Sequence, residues 1–190
     1  MNKSIKVFGL VAIAVALAFG AQVYAQVTAT STNVPLPIPD NGNVNSTLNF
    51  PVSTTNGITD VDVQFSITHT WDSDVRVTIA APSVAAVTVM ENCGGSGDNF
   101  TSTRISDQGA AGGCAFANAP FTGTFQARQG AGTVNATALS AFNVSTQQSG
   151  TWTLNVADDS SICTGTLTAW SVIVSGPPPL PVELMNFQVK

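Results

Sequence analysis

The chain has 190 residues, and its six basic residues against eleven acidic ones give a net charge of −5, which excludes nucleic acid as a partner because phosphate binding needs a basic footprint. Only 9% of the residues are charged while 44% are hydrophobic. The rest is dominated by Thr, Ser, Asn and Gly, a composition that suits one β domain with hydroxyl-covered outer faces and not a helical one.

Residues 1–25 read as a signal peptide: Lys3 and Lys6 precede an apolar run from Val7 to Phe19, and Val23 and Ala25 place small residues where a signal peptidase reads them. The run is shorter than the roughly 20 residues that cross a bilayer, so cleavage after Ala25 is expected, with export to a secreted or cell-surface location and no membrane attachment afterwards. Residues 26–36 are polar, prolines follow, and the stretch reads as a linker. Pro39, Asp40, Asn41 and Gly42 form a turn signal, with proline presetting φ and glycine supplying positive φ. A strand is expected over Asn45 to Val52, ending at a sheet edge because of Pro51.

Asn56 and Gly57 turn the chain into its clearest pattern, ITDVDVQFSITHTWDSDVRVTI from Ile58 to Ile79. Val61, Val63, Phe65 and Ile67 alternate with polar residues, the period of two of a strand with one face in a core. The alternation resumes at Val75, Val77 and Ile79, so the segment reads as a β-hairpin with an acidic tip at Asp72, Ser73 and Asp74. Ala80 to Ser83 is a turn before a strand around Ala86 to Met90. Residues 92–100, NCGGSGDNF, are too rich in glycine for regular structure. Thr101 to Asp107 reads as a strand, and Phe116, Phe121, Phe125 and Phe142 are core anchors in the less readable stretch from Gln108 to Ser149. Trp152, Leu154 and Val156 mark a strand from Thr151, and Trp170, Val172 and Val174 mark a last one over Thr164 to Ser175. About eight short strands separated by turn chemistry predict an all-β, jelly-roll-like antiparallel β-sandwich.

In an exported protein Cys93 and Cys114 are expected to close a loop of about twenty residues, worth roughly 3 kcal/mol. Cys163 is then a buried free thiol, although spacing alone leaves the other two pairings open.

Six segments carry a resemblance: IPDNG (Ile38 to Gly42), ITDVDVQFSITHTWDSDV (Ile58 to Val75), GGSGDNF (Gly94 to Phe100), LSAF (Leu139 to Phe142), GTWTLNVADD (Gly150 to Asp159) and TGTLTAWSV (Thr164 to Val172). In this order they resemble the P-domain, or P/Homo B domain, of the proprotein convertases, found in kexin, furin and many bacterial subtilisin-like proteases. The resemblance covers residues 37–176. It implies a jelly-roll-like sandwich that, in relatives, follows a serine protease domain and supports its folding, and that in some relatives holds structural calcium with acidic loops. Two departures stand out: Cys163 occupies a position where the family usually has aspartate, and no protease domain accompanies the P-domain.

The calcium that the resemblance implies would fall to Asp72, Asp74, Asp98 and Asn99, whose loops emerge at one end of the sandwich if consecutive strands form hairpins. Neighbouring carboxylates repel, and a hard cation that accepts carboxylate, amide and backbone oxygens would remove the repulsion. Zinc is disfavoured by the scarcity of His and Cys. Solvated turn aspartates are the alternative reading, and Asp158 and Asp159 take it more readily still. The single histidine, His69, shares parity with Val63, Phe65 and Ile67 and is expected to pack and hydrogen-bond at the rim. With no serine in a glycine-flanked nucleophile motif, no Ser-His-Asp protease triad is available and no catalytic residue is assigned. Trp152 and Trp170 read as core; Trp71, beside the acidic tip, is the one open to stacking on a sugar. Asn45, Asn99, Asn135 and Asn143 each begin an Asn-x-Ser/Thr triplet.

Residues 177–190 form a proline-rich tail in which LPVELMNF is similar to segments that precede type IX sorting domains. The expectation is an exported, non-catalytic P-domain protein that binds or stabilises a protein partner, a separately encoded subtilisin-like protease. The rivals are the P-domain part of a serine endopeptidase system and a surface adhesion or glycan-binding module.

Overall fold

The computed structural model describes residues 25–51, 57–111, 119–129, 133–145 and 148–177. The signal peptide up to residue 24, Cys114, Phe116 and the LPVELMNF tail lie outside the described residues. Among the described residues twelve strands run in chain order: β1 (Ala25–Thr30), β2 (Leu36–Ile38), β3 (Asn43–Phe50), β4 (Asp60–His69), β5 (Val75–Ala81), β6 (Val84–Met90), β7 (Phe100–Ala110), β8 (Gly123–Phe125), β9 (Ala127–Gln129), β10 (Thr133–Asn135), β11 (Gly150–Asp158) and β12 (Gly165–Gly176). The order is β1-β12-β4-β7-β8 in one sheet, with β2 also pairing β12, and β3-β11-β5-β6 in the other; β9 and β10 form a separate pair. All pairings are antiparallel except β7 with β8. The architecture is an all-β sandwich, as the alternation predicts.

The inner faces of the two sheets meet in one core. Val61, Val63, Phe65 and Ile67 of β4 and Leu167, Trp170, Val172 and Val174 of β12 face Val75, Val77 and Ile79 of β5 and Trp152, Leu154 and Val156 of β11, all of them buried. In β12 the inward set changes from odd to even numbers, because the register shifts between Leu167 and Ala169; one extra residue in a strand moves all later side chains to the other face. Phe142 stacks on Trp152 with centroids 5.3 Å apart, and Phe121 and Phe125 are buried as expected. Both core tryptophans satisfy their N–H groups inside: Trp152 Nε1 donates to Gln148 O at 2.8 Å, and Trp170 Nε1 donates across the sheets to Ser46 Oγ at 2.6 Å.

Three expectations need correction. Ile58 to Ile79 is not a hairpin: β4 has β12 and β7 as its neighbours, β5 has β11 and β6, and the chain arches from one sheet to the other through a single 3-10 turn, Asp72–Asp74. An arch and a hairpin leave the same alternation in sequence, since in both cases each strand turns one face to the core. Residues 26–36 are not a linker, because β1 pairs with β12 from Ala25↔Gly176 to Thr30↔Ser171 and β2 pairs with it from Leu36↔Leu167. The strand count rises accordingly, β1 and β2 and the short β8 to β10 having been read as irregular chain.

Candidate functional site

The end of the sandwich where β4 and β11 finish and β3, β5, β7 and β12 begin gathers four loops into a rim. Its seam is backbone. Asp72 N–H donates to Gly97 O at 3.0 Å and Ser73 N–H to Gly95 O at 3.0 Å, which fastens the β4–β5 arch to the glycine loop before β7. Asp158 N–H donates to Gly42 O at 2.8 Å and Asp159 N–H to Asp74 O at 2.9 Å, tying in the β2–β3 turn and the β11–β12 loop. Asn99 completes the seam: its N–H donates to His69 O at 3.2 Å and its Oδ1 accepts from His69 N–H at 3.0 Å.

Gly94 shows why the loop before β7 needs glycine. It holds a φ of +88°, and a Cβ there would sit 2.5 Å from the ring of Phe121 and 2.9 Å from Asp72 Cβ. A residue without Cβ adopts that backbone freely and leaves the space for the loop to close over Asp72.

Asp72 is fully buried under this loop. Its Oδ1 accepts the N–H of Asn99 at 2.9 Å, while Oδ2 is buried without a hydrogen-bond partner. Burial pushes its carboxyl up to about 7; the nearby charge of Asp98 adds to this and the Asn99 N–H opposes it. Asp74 is half-buried, and burial followed by the charge of Asp158 raises its carboxyl too. Asp98 is exposed. Asp72, Asp74, Asp98 and Asn99 therefore stand on one rim. Asn99 commits its side-chain oxygen to His69, and among the described residues no three His, Cys, Asp or Glu side chains lie close enough to hold a metal. Asp72 Oδ2 is the one buried oxygen of the set left open.

His69 is buried, and both ring nitrogens are engaged: Nε2 lies 3.3 Å from Asp158 Oδ2 and Nδ1 2.9 Å from Trp71 O. Asp158 is itself buried, and its Oδ1 accepts from Ser160 N–H at 3.1 Å. The reading of Asp158 as a solvated turn residue is thus corrected. Parity could have found it, since Asp158 follows Trp152, Leu154 and Val156 onto the inner face. Its neighbour Asp159 points outward, with Arg76 donating to both of its oxygens at 2.6 and 2.9 Å.

Trp71 is 45% exposed, whereas Trp152 and Trp170 are core residues. Cys93 is buried. Cys163 is a free thiol, half-buried in the β11–β12 loop and not buried as expected. Two rim residues escaped sequence reasoning. Asp40 accepts the N–H of Ile162 through Oδ1 at 2.9 Å, and Ile162 is 92% exposed with a φ of +88°. A backbone angle of that kind leaves no mark in composition or periodicity.

No protein-family model and no curated protein matches the chain. Among solved structures it is similar to the crystal structure of a serine protease of Aeromonas sobria, with a TM-score of 0.47 and 14% identity over 81% of this chain and 27% of that one. It is also similar to a chain of the Aeromonas sobria serine protease and chaperone complex, with a TM-score of 0.49 and 14% identity over 83% of this chain and 28% of that one. The chain spans little more than a quarter of the length of these structures.

Proposed function

We propose that this chain is an exported, non-catalytic P-domain-type sandwich that binds or stabilises a protein partner, a separately encoded secreted subtilisin-like serine protease. One observation carries the reading. Of the six segments by which the sequence resembles P-domains, five converge on the rim: Gly42 of the first, His69 to Asp74 of the second, Gly95 to Asn99 of the third, Asp158 and Asp159 of the fifth, and Gly165 of the sixth, which pairs with His69. Only LSAF lies elsewhere, against Trp152. Segments far apart in sequence that build one surface are more readily explained by a shared use of that surface than by core packing alone.

The chemistry of the rim favours holding over transforming. A general base must reach a substrate proton, and His69 is buried with Nε2 on Asp158 and Nδ1 on a backbone carbonyl. Calcium enters the proposal at a single atom: Asp72 Oδ2 is the buried oxygen that a cation would take up in place of a proton. Capture of the full chain's partners from the culture fluid of the producing organism, followed by mass spectrometry, tests the reading. Enrichment of a subtilisin-like protease is the expected result, and its absence from the captured proteins would overturn it. The exposure of Trp71 favours a second reading as a glycan-binding module, which predicts glycan-array binding that disappears in Trp71→Ala.

A further inference from the structure

Trp71 and Ile162 are the two large hydrophobic side chains exposed among the described residues, at 45% and 92%. They leave the same end of neighbouring strands. Trp71 comes two residues after His69 of β4, Ile162 three residues before Gly165 of β12, and His69 and Gly165 are register partners. Ile162 holds a φ of +88°, in the left-handed region where a β-branched residue is an outlier. The strained turn is held in place: the Ile162 N–H is bonded to Asp40 Oδ1, and two residues before it Ser160 N–H is bonded to Asp158 Oδ1. Strained backbone persists where the surroundings over-determine it, and such sites cluster at binding surfaces. Here the strain lifts an apolar side chain into water, where packing gains nothing from it.

Charge surrounds the two anchors. Asp40 and Asp98 are exposed and Asp74 is half-buried, and among the described residues none of the three is paired with a cation. The cation of the rim, Arg76, is already taken by both oxygens of Asp159. We propose that this rim is the docking surface for the protein partner, and that it fits an apolar hollow ringed by lysine and arginine. Ile162 and Trp71 fill the hollow, and Asp40, Asp74 and Asp98 meet the basic ring. Aromatic anchors carry binding energy out of proportion to their number, and complementary rim charges set the association rate. The proposal rests on the partner-binding reading above. A second copy of this chain is the wrong occupant, because with a net charge of −5 it would bring carboxylates against carboxylates.

The test places a photo-crosslinking amino acid at position 71, at position 162 or, as a control, at position 82 in the β5–β6 turn at the opposite end, each in the otherwise intact chain. Adducts formed in the producing organism's culture fluid are identified, and the captured protein is purified for binding measurements. One and the same protein is expected at 71 and 162 and not at 82. Ile162→Gly should weaken its binding by about tenfold or more while leaving the melting temperature unchanged or higher, since glycine adopts that φ freely. The double variant Asp74→Asn, Asp98→Asn should slow association and remove most of its salt dependence. An adduct at 82 alone, adducts between two copies of this chain, or wild-type binding by Ile162→Gly would each overturn the docking surface while leaving partner binding intact. No adduct at any of the three positions would overturn partner binding itself.

Discussion

His69 and Asp158 join the two sheets of the sandwich, with Nε2 of one 3.3 Å from Oδ2 of the other and both side chains shut off from water. β4 and β11 belong to different sheets, so the contact closes the end of the core as Trp170 on Ser46 pins its middle. Removing one member leaves the other buried without its partner, which costs about 3 kcal/mol or more. His69→Ala and Asp158→Ala should each lower stability by about that amount in urea unfolding, and the double variant should lose much less than the sum of the two. Additive losses would show that the contact contributes little.

Acid should stabilise this protein. Burial holds the carboxyls of Asp60, Asp72, Asp74 and Asp107 above their ordinary range. For Asp72 the native chain binds the extra proton from the ordinary 3.8 up to about 7. The stabilisation is therefore complete below the unfolded value and is lost as pH rises through the folded one. The melting temperature is expected to fall between about pH 4.5 and pH 8, and Asp72→Asn, which keeps the side chain neutral throughout, should remove the largest part of the slope. A melting temperature that climbs with pH would contradict the burial of these groups.

Calcium and the proton compete for the same oxygen in this proposal. At about pH 8, with Asp72 ionised, calcium at a hundred times its dissociation constant would stabilise the native state by about 2.7 kcal/mol, several degrees in a thermal melt. Near pH 5 the effect should vanish, and Asp72→Asn should abolish it at any pH. Identical melts in calcium and in chelator would remove the metal from the account.

Cys163 is a free thiol, and the sequence predicts a bridge between the other two cysteines. Alkylation of the native protein should label Cys163 alone, and three sites should become available only after reduction and unfolding. If Cys93 and Cys114 form the bridge that the sequence predicts, reduction should lower stability by about 3 kcal/mol. Labelling of Cys93 without reduction would exclude that pairing.

Strand identity was legible in this sequence and strand partnership was not. Val61 to Ile67, Val75 to Ile79, Trp152 to Val156 and Trp170 to Val174 alternate so strictly that they declare both their conformation and their buried face. Nothing in alternation says which sheet a strand joins, and that is where the hairpin reading of β4 and β5 failed. β1 was missed because it has few apolar residues to turn inward, Val27 and Ala29, and β2 because a strand of three residues with a central proline has no period to detect. At the rim, Asp72, Asp74, Asp98 and Asn99 were found as loop residues, which the turn chemistry marks. Whether their oxygens converge depends on the arch and on the glycine loop closing over Asp72, geometry that is absent from spacing.

The position of β12 has a consequence for how the chain becomes folded. This last strand lies between β1 and β2 on one side and β4 on the other, and its partners in β1 sit at Ala25 to Thr30, near the opposite end of the described residues. Until Gly165 to Gly176 arrives, β1, β2 and one edge of β4 have no strand to pair with. Such long-range pairing folds slowly and exposes sticky intermediates in the meantime. A stop codon just before residue 165 would thus do more than trim an edge: it would withdraw the strand that joins β1 and β2 to β4.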